Sequence, residues 1–225
     1  MSSNLLQVLR LCQLSSPALP IGAFNFSQGV EYATQAGWIT DEASASEWLH
    51  GMATHALATL DVPVLMRLHD AWRQRDRKAT EYWSRYLIAS RETAELRAED
   101  RHTGQSLAKV LSELGMDDAR EWVVRSDATL ATLLALAGAR WDIEIAMSAS
   151  GYVWTWAENQ VLAAVKLVPL GQSSYVRMLN RFVPTIPQLV QSAATVADSE
   201  IGISTPMQGI ASASHETQYT RLFRS

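Results

Sequence analysis

The sequence holds one cysteine, Cys12, in 225 residues. A single thiol excludes an internal disulfide and every metal site built from clustered cysteines. Its neighbours Leu5, Leu6 and Leu9 give Cys12 an apolar helical setting, so it is expected to pack, and it fits a reducing compartment. Basic excess is missing too: 19 Lys and Arg face 23 Asp and Glu, for a net charge of −4. A protein that neutralises phosphates needs a basic face, so nucleic acid is excluded as the main ligand. The run Arg73 to Lys78 reads as a solvated helix end. No window approaches the roughly twenty apolar residues that span a bilayer. Met1 to Gln13 alternates apolar and polar residues, unlike a secretion signal. A soluble, cytoplasmic protein with no membrane partner is expected.

Catalytic signatures are absent as well. No P-loop and no dinucleotide-binding glycine pattern occurs. His215-Glu216 begins like a zinc-protease motif, but the position four residues after His215 is Tyr219, so the second ligand is missing. His50 and His55, five apart, fall on different helical faces, and His69 and His102 are isolated. No resident metal, no cofactor and no catalytic set is expected, and a non-enzyme is favoured. One enzymatic alternative remains, a pocket between helices using acids such as Glu31 or Glu158.

What is present is helical periodicity almost everywhere. Hydrophobic residues make up 48% of the chain and charged residues 19%, the balance of an ordinary soluble globule. The pattern predicts one all-α domain, a single bundle of roughly nine to ten helices over residues 1–200, followed by a tail at 201–225. A helix around Leu5 to Cys12 comes first, then Phe26 to Ala36 with Gly37 as its stop. A third has Thr40 as N-cap, with Asp41 and Glu42 in its first turn, and Asp61 before Pro63 starts a fourth. Thr80 to Leu114 reads as one helix or two, with Gly104 as the weak point and Gly115 as the end. Further helices are expected at 126–139, 151–168, 173–183 and 184–197. The strip Arg91, Glu92, Glu95, Arg97, Glu99, Asp100 and Arg101 reads as mostly exposed charge at helical spacing.

Three segments stand apart from this pattern. The loop Leu19-Pro20-Ile21-Gly22-Ala23-Phe24-Asn25-Phe26, followed by Ser27-Gln28-Gly29-Val30-Glu31, carries apolar and aromatic groups that need cover, either from its own domain or from a partner. Lys166, in Lys-Leu-Val-Pro-Leu-Gly-Gln ending at Gln172, is either a complement to a helix end or a contact residue. The tail His215-Glu216-Thr217-Gln218-Tyr219-Thr220-Arg221-Leu222-Phe223-Arg224-Ser225 follows a Gly/Ser/Pro-rich approach with no sustained helical face. It either orders on a partner or folds back on its own domain.

Together, in this order and over essentially the full chain, the three segments resemble the F-type urease accessory proteins, the UreF family. The resemblance implies an all-helical, dimerising protein that is not itself a hydrolase. It also implies a complex with the D/H-type accessory protein (UreD/UreH) and recruitment of the G-type GTPase (UreG), so that nickel reaches the urease apoprotein. Carried over position by position, it marks Pro20, Ile21, Gly22, Phe24, Phe26, Gln28 and Glu31 of the loop as partner-binding. It marks Lys166 and Gln172 likewise, and His215, Glu216, Tyr219, Arg221, Leu222, Phe223 and Arg224 of the tail, which would order when the D/H-type partner binds. The chain departs from the commoner pattern at Asn25 and at Ser174-Tyr175-Val176. A second reading gives Arg221 or Lys166 a direct role in the partner's GTP hydrolysis.

Overall fold

Apolar residues at three- and four-residue spacing become helices throughout this computed structural model, which describes residues 2–202 and 205–225. The α-helices are α1 Ser2–Leu14, α2 Val30–Gln35, α3 Glu42–Met52, α4 Val62–Gln74, α5 Arg77–Ala89 and α6 Ala94–Glu113. They continue with α7 Leu130–Arg140, α8 Ile145–Leu167, α9 Gln172–Phe182, α10 Ile186–Ala194 and α11 Pro206–His215. A π-helical stretch, Ala53–Asp61, joins α3 to α4 without a break, so the eleven segments form ten rods. No strand occurs among the described residues, and the chain is all-α as the periodicity predicts.

The centre is α4 against α7, with α8 laid across them. Leu65 and Leu68 of α4, Leu133 and Leu136 of α7, and Val153 and Val161 of α8 are fully buried. Burying each such side chain contributes about 1.5–3 kcal/mol. Gly104 is not a weak point: α6 runs straight through it. A Cβ there would lie 2.6 Å from the Thr129 nitrogen, so glycine lets α6 approach the backbone entering α7. The break in this region falls instead at Ser90–Thr93, where the Thr93 hydroxyl caps α6 by accepting from the Leu96 N–H.

Four local expectations change for physical reasons. Asp41, rather than Thr40, caps α3, because its extended backbone lets its carboxylate and the Ser44 hydroxyl satisfy each other's amides at 2.8 and 3.1 Å. Asp61 does not start a helix. Its backbone is helical, and the chain widens to a π turn in which the Val62 N–H reaches Leu57, five residues back. The wider turn eases the clash of a proline ring with the carbonyl four residues earlier. That carbonyl, of Thr59, accepts from the Gly202 N–H at 3.3 Å.

The second helix starts at Val30 rather than Phe26, since Gln28 and Gly29 both have left-handed backbones. Gly29 also has to lack a side chain, because a Cβ would sit 2.9 Å from that of Ala211 on α11. Cys12 is exposed and does not pack, and Leu5, Leu6 and Leu9 on α1 are also more than half exposed.

The charged strip is the largest departure. Arg91 and Asp100 are withdrawn from solvent, and Arg91 bridges Asp100 at 2.6 Å and Asp61 at 2.5 Å. The Tyr152 hydroxyl of α8 donates to the same Asp61 carboxylate at 2.8 Å. Burial pushes the Asp100 carboxyl above its usual range, against the pull of Arg91. Finally, the approach to the tail does contain a helix, α11, which begins with Pro206 at its first position. Its small residues Ala211 and Ser212 are fully buried.

Candidate functional site

The segments that stand apart in sequence meet in space. The loop 19–29 turns through Gly22, buries Ile21 and Phe26, and leaves Phe24 half exposed. Phe26 lies against the His102 ring on α6, with centroids 5.9 Å apart. The loop then offers its backbone to the tail. The Asn25 carbonyl accepts from the Arg224 N–H at 2.8 Å, and the Ser27 N–H and hydroxyl both donate to the Ser225 carbonyl.

Glu31, in the first turn of α2, is the main fastening. Its carboxylate accepts from the Leu222 N–H at 2.6 Å and the Phe223 N–H at 2.8 Å. Charge-assisted bonds of this kind are about twice as strong as neutral ones. His215, at the end of α11 and fully buried, stands between two acids, 3.2 Å from Glu31 and 2.7 Å from Glu95. The other Glu95 oxygen accepts from Arg221 at 2.7 Å. Glu216 accepts from the Ala94 and Glu95 N–H groups at 2.8 and 3.3 Å. A carboxylate there complements the positive end of the α6 dipole.

Phe223 is buried, and the Lys166 ammonium lies 6.0 Å from its ring centre. This is the outer limit of a cation–π contact. Lys166 thus stands beside the tail in addition to completing the last turn of α8. Gln28 ties the remaining parts together. Its amide accepts from the Trp156 indole N–H on α8 at 2.8 Å and donates to Glu99 on α6 at 2.8 Å. Glu99 is in turn 3.2 Å from the Ser225 hydroxyl. Burial, then the adjacent Asp100 carboxylate, push the Glu99 carboxyl up to about 8.

The geometry therefore gathers Phe26, Gln28, Glu31, Lys166, His215, Glu216, Arg221, Leu222, Phe223 and Arg224 into one surface. Pro20 and Gly22 belong to its supporting turn. Tyr219, Leu222 and Arg224 project into solvent. Gln172 does not join them: it opens α9, exposed, beyond the turn that follows Lys166. Glu95 and Glu99, the acids that receive the tail from α6, were absorbed in sequence into a strip of ordinary surface charge. The signal available was their proximity to Arg91 and Asp100, and only the tertiary fold gives it meaning.

Chemically, these contacts fasten the tail to the helical body. Each acid has a protein donor: Glu31 the Leu222 and Phe223 amides, Glu95 the Arg221 guanidinium, with the His215 ring between the two acids. Glu158, the other acid considered for a pocket, accepts from the Tyr175 hydroxyl at 3.2 Å. Among the described residues no helix is long and apolar enough to cross a membrane.

A family model described as UreF matches residues 39–183. Full-length relatives extend the match over the loop and the tail. The urease accessory protein UreF of Alkalilimnicola ehrlichii is 49% identical across 96% of this chain and 95% of its own. Its counterpart in Alcanivorax borkumensis is 46% identical across 96% and 97%, and that of Hahella chejuensis 43% identical across 98% and 99%. By extent and identity, this chain belongs to the UreF family of urease accessory proteins.

Proposed function

We propose that the chain is a non-catalytic scaffold for urease maturation in the cytoplasm. It binds the D/H-type accessory protein and recruits the G-type GTPase, so that nickel, as cargo, reaches the urease apoprotein. The observation that carries this reading is the meeting of loop, Lys166 and tail on one surface, with Tyr219, Leu222 and Arg224 presented outward. Exposed aromatic, aliphatic and arginine side chains on a fastened backbone are the composition of a protein-binding hot spot.

The tail is held by backbone bonds to Glu31 and by few buried side chains of its own. A second protein can thus re-order it at modest cost. Dimerisation is assigned to the exposed apolar face of α1, with Leu5, Leu6 and Leu9, beside an open hollow of about 610 Å³ lined in part by Leu11, Trp154 and Val183. A contiguous apolar surface of this kind marks an interface.

Co-expression with the two accessory partners, followed by size-exclusion chromatography with mass measurement, tests the reading. A complex holding all three proteins is expected. Elution of this chain alone would remove the scaffold role. Arg221 held by Glu95, and Glu31 filled by the tail, argue against the roles of GTPase finger and small-molecule acid.

A further inference from the structure

We propose that His215 is a positioning residue: a buried ring that meets no partner, it sets the two acids that hold the tail and, through one of them, Arg221. The inference deepens the reading of this surface as partner-facing and rests on it for its use.

His215 is fully buried beneath the seated tail, so a docking protein cannot reach it. Its two nitrogens face the two acids that receive the tail. Nδ1 lies 2.7 Å from Glu95 Oε2, and Nε2 lies 3.2 Å from Glu31 Oε2. The same Glu31 oxygen accepts from the Phe223 N–H, and its twin accepts from the Leu222 N–H. The remaining Glu95 oxygen accepts from Arg221. One ring thus touches both carboxylates, and each carboxylate also holds the tail. The Glu31 and Glu95 side chains are 8% and 13% exposed, whereas that of Arg221 is 42% exposed. Of these side chains only the arginine is open to another protein, and it stands last in the series of contacts.

The ring itself is placed by α11. Ala211 lies so close to Gly29 that a Cβ on the glycine would be 2.9 Å from its own. The Ser212 hydroxyl lies 2.8 Å from that of Thr93, the N-cap of α6, and Glu216 accepts from the Ala94 and Glu95 amides. These contacts flank His215 on both sides in sequence and fix it between α2 and α6. A carboxylate turns about its side-chain torsions unless a neighbour holds it, and a held supporting group is what keeps a recognition group in one geometry. The seat of α11 is thereby passed through His215 to Glu95 and Arg221, and to Glu31 and the Leu222 and Phe223 backbone.

Two variants separate the two contacts of the ring, because an asparagine amide nitrogen takes the place of Nδ1 and a glutamine amide nitrogen that of Nε2. His215→Asn keeps an N–H toward Glu95 and leaves none toward Glu31, and His215→Gln does the reverse. Hydrogen exchange of the isolated full-length chain reads the outcome apart from any partner, so its failure is distinct from a failure of complex formation. Protection of the Leu222 and Phe223 amides should fall about tenfold in His215→Asn, the scale of one charged hydrogen bond, and less than about threefold in His215→Gln. Adding Arg221→Ala should lower protection further in His215→Asn, where Glu95 is still held, and not in His215→Gln, where Glu95 is already loose. Equal losses in the two single variants, or no loss in either, overturn the proposal. Should they fail to fold, nitrogen NMR of the wild-type ring decides. A shift of the His215 signals in Arg221→Ala supports coupling through Glu95, and signals that stay in place overturn it.

Discussion

Helix α6 carries two acid clusters that use similar chemistry for different ends. At Asp100, an arginine and two aspartates are enclosed between helices, with a tyrosine hydroxyl completing the set. At Glu95, a histidine, an arginine and two glutamates hold a segment that ends in side chains facing water. The first cluster joins elements that the core already presses together. The second supplies much of what holds the tail to the body. The difference lies at the outer edge of the second cluster: Arg221 is half exposed and returns to solvent when its pair with Glu95 breaks, whereas losing one partner of an enclosed pair strands a charge.

The largest test of that contrast is Arg91→Ala, which leaves Asp61 and Asp100 enclosed without their cation. A loss of about 3–5 kcal/mol is expected in urea denaturation. A loss under about 1 kcal/mol would show that the cluster at Asp100 is as open as the rim and would erase the distinction.

Next is Glu31→Gln, which removes the charge that receives the Leu222 and Phe223 amides. It should weaken tail seating by about 1–3 kcal/mol while the helical body melts nearly as before. Hydrogen exchange over 219–225 beside a thermal melt reads both. A cooperative drop of the whole body would place Glu31 in the first class rather than the second.

Arg221→Ala should move stability by about 0–1 kcal/mol, since its ion pair with Glu95 is at the rim. Its effect is expected in recruitment: capture of the D/H-type partner kept, capture of the GTPase lost, in separate pull-downs. Undiminished GTPase capture takes Arg221 out of that interface. Lys166→Ala should have a similarly small effect on stability, about 0.3–1 kcal/mol for a cation at a helix end. Urease activation should fall all the same. A collapse in melting temperature alongside it would make the lysine structural.

The sequence exposes this contrast unevenly. Helical periodicity is local, so α4, α7 and α8 are legible from spacing, and the loop, Lys166 and the tail stand out by failing to fit it. Asp61 is misread because Asp before Pro usually opens a helix, while here a π turn carries the rod through. Arg91, Glu99 and Asp100 look like solvated charge because the partners that enclose them come from elsewhere in the chain: Asp61, 30 residues from Arg91, Tyr152 on α8 and Ser225 in the tail. Helix α11 escapes notice since glycine and serines interrupt its apolar pattern, although small residues are what its tight seat beside Gly29 requires. The exposed face of α1 misleads in the other direction, because an amphipathic pattern says that a face wants cover and is silent on what covers it.

Pro63 connects the middle of the bundle to the far end of the chain. Lacking an N–H, it cannot satisfy the Thr59 carbonyl, and Gly202 uses that carbonyl as a mooring just ahead of α11. Replacing the proline with alanine would add an N–H four residues after the same carbonyl, which has two lone pairs and can accept from the rod as well as from the mooring. The irregularity that Pro63 imposes on the rod thus sits at the same turn that receives the chain from the far end of the sequence.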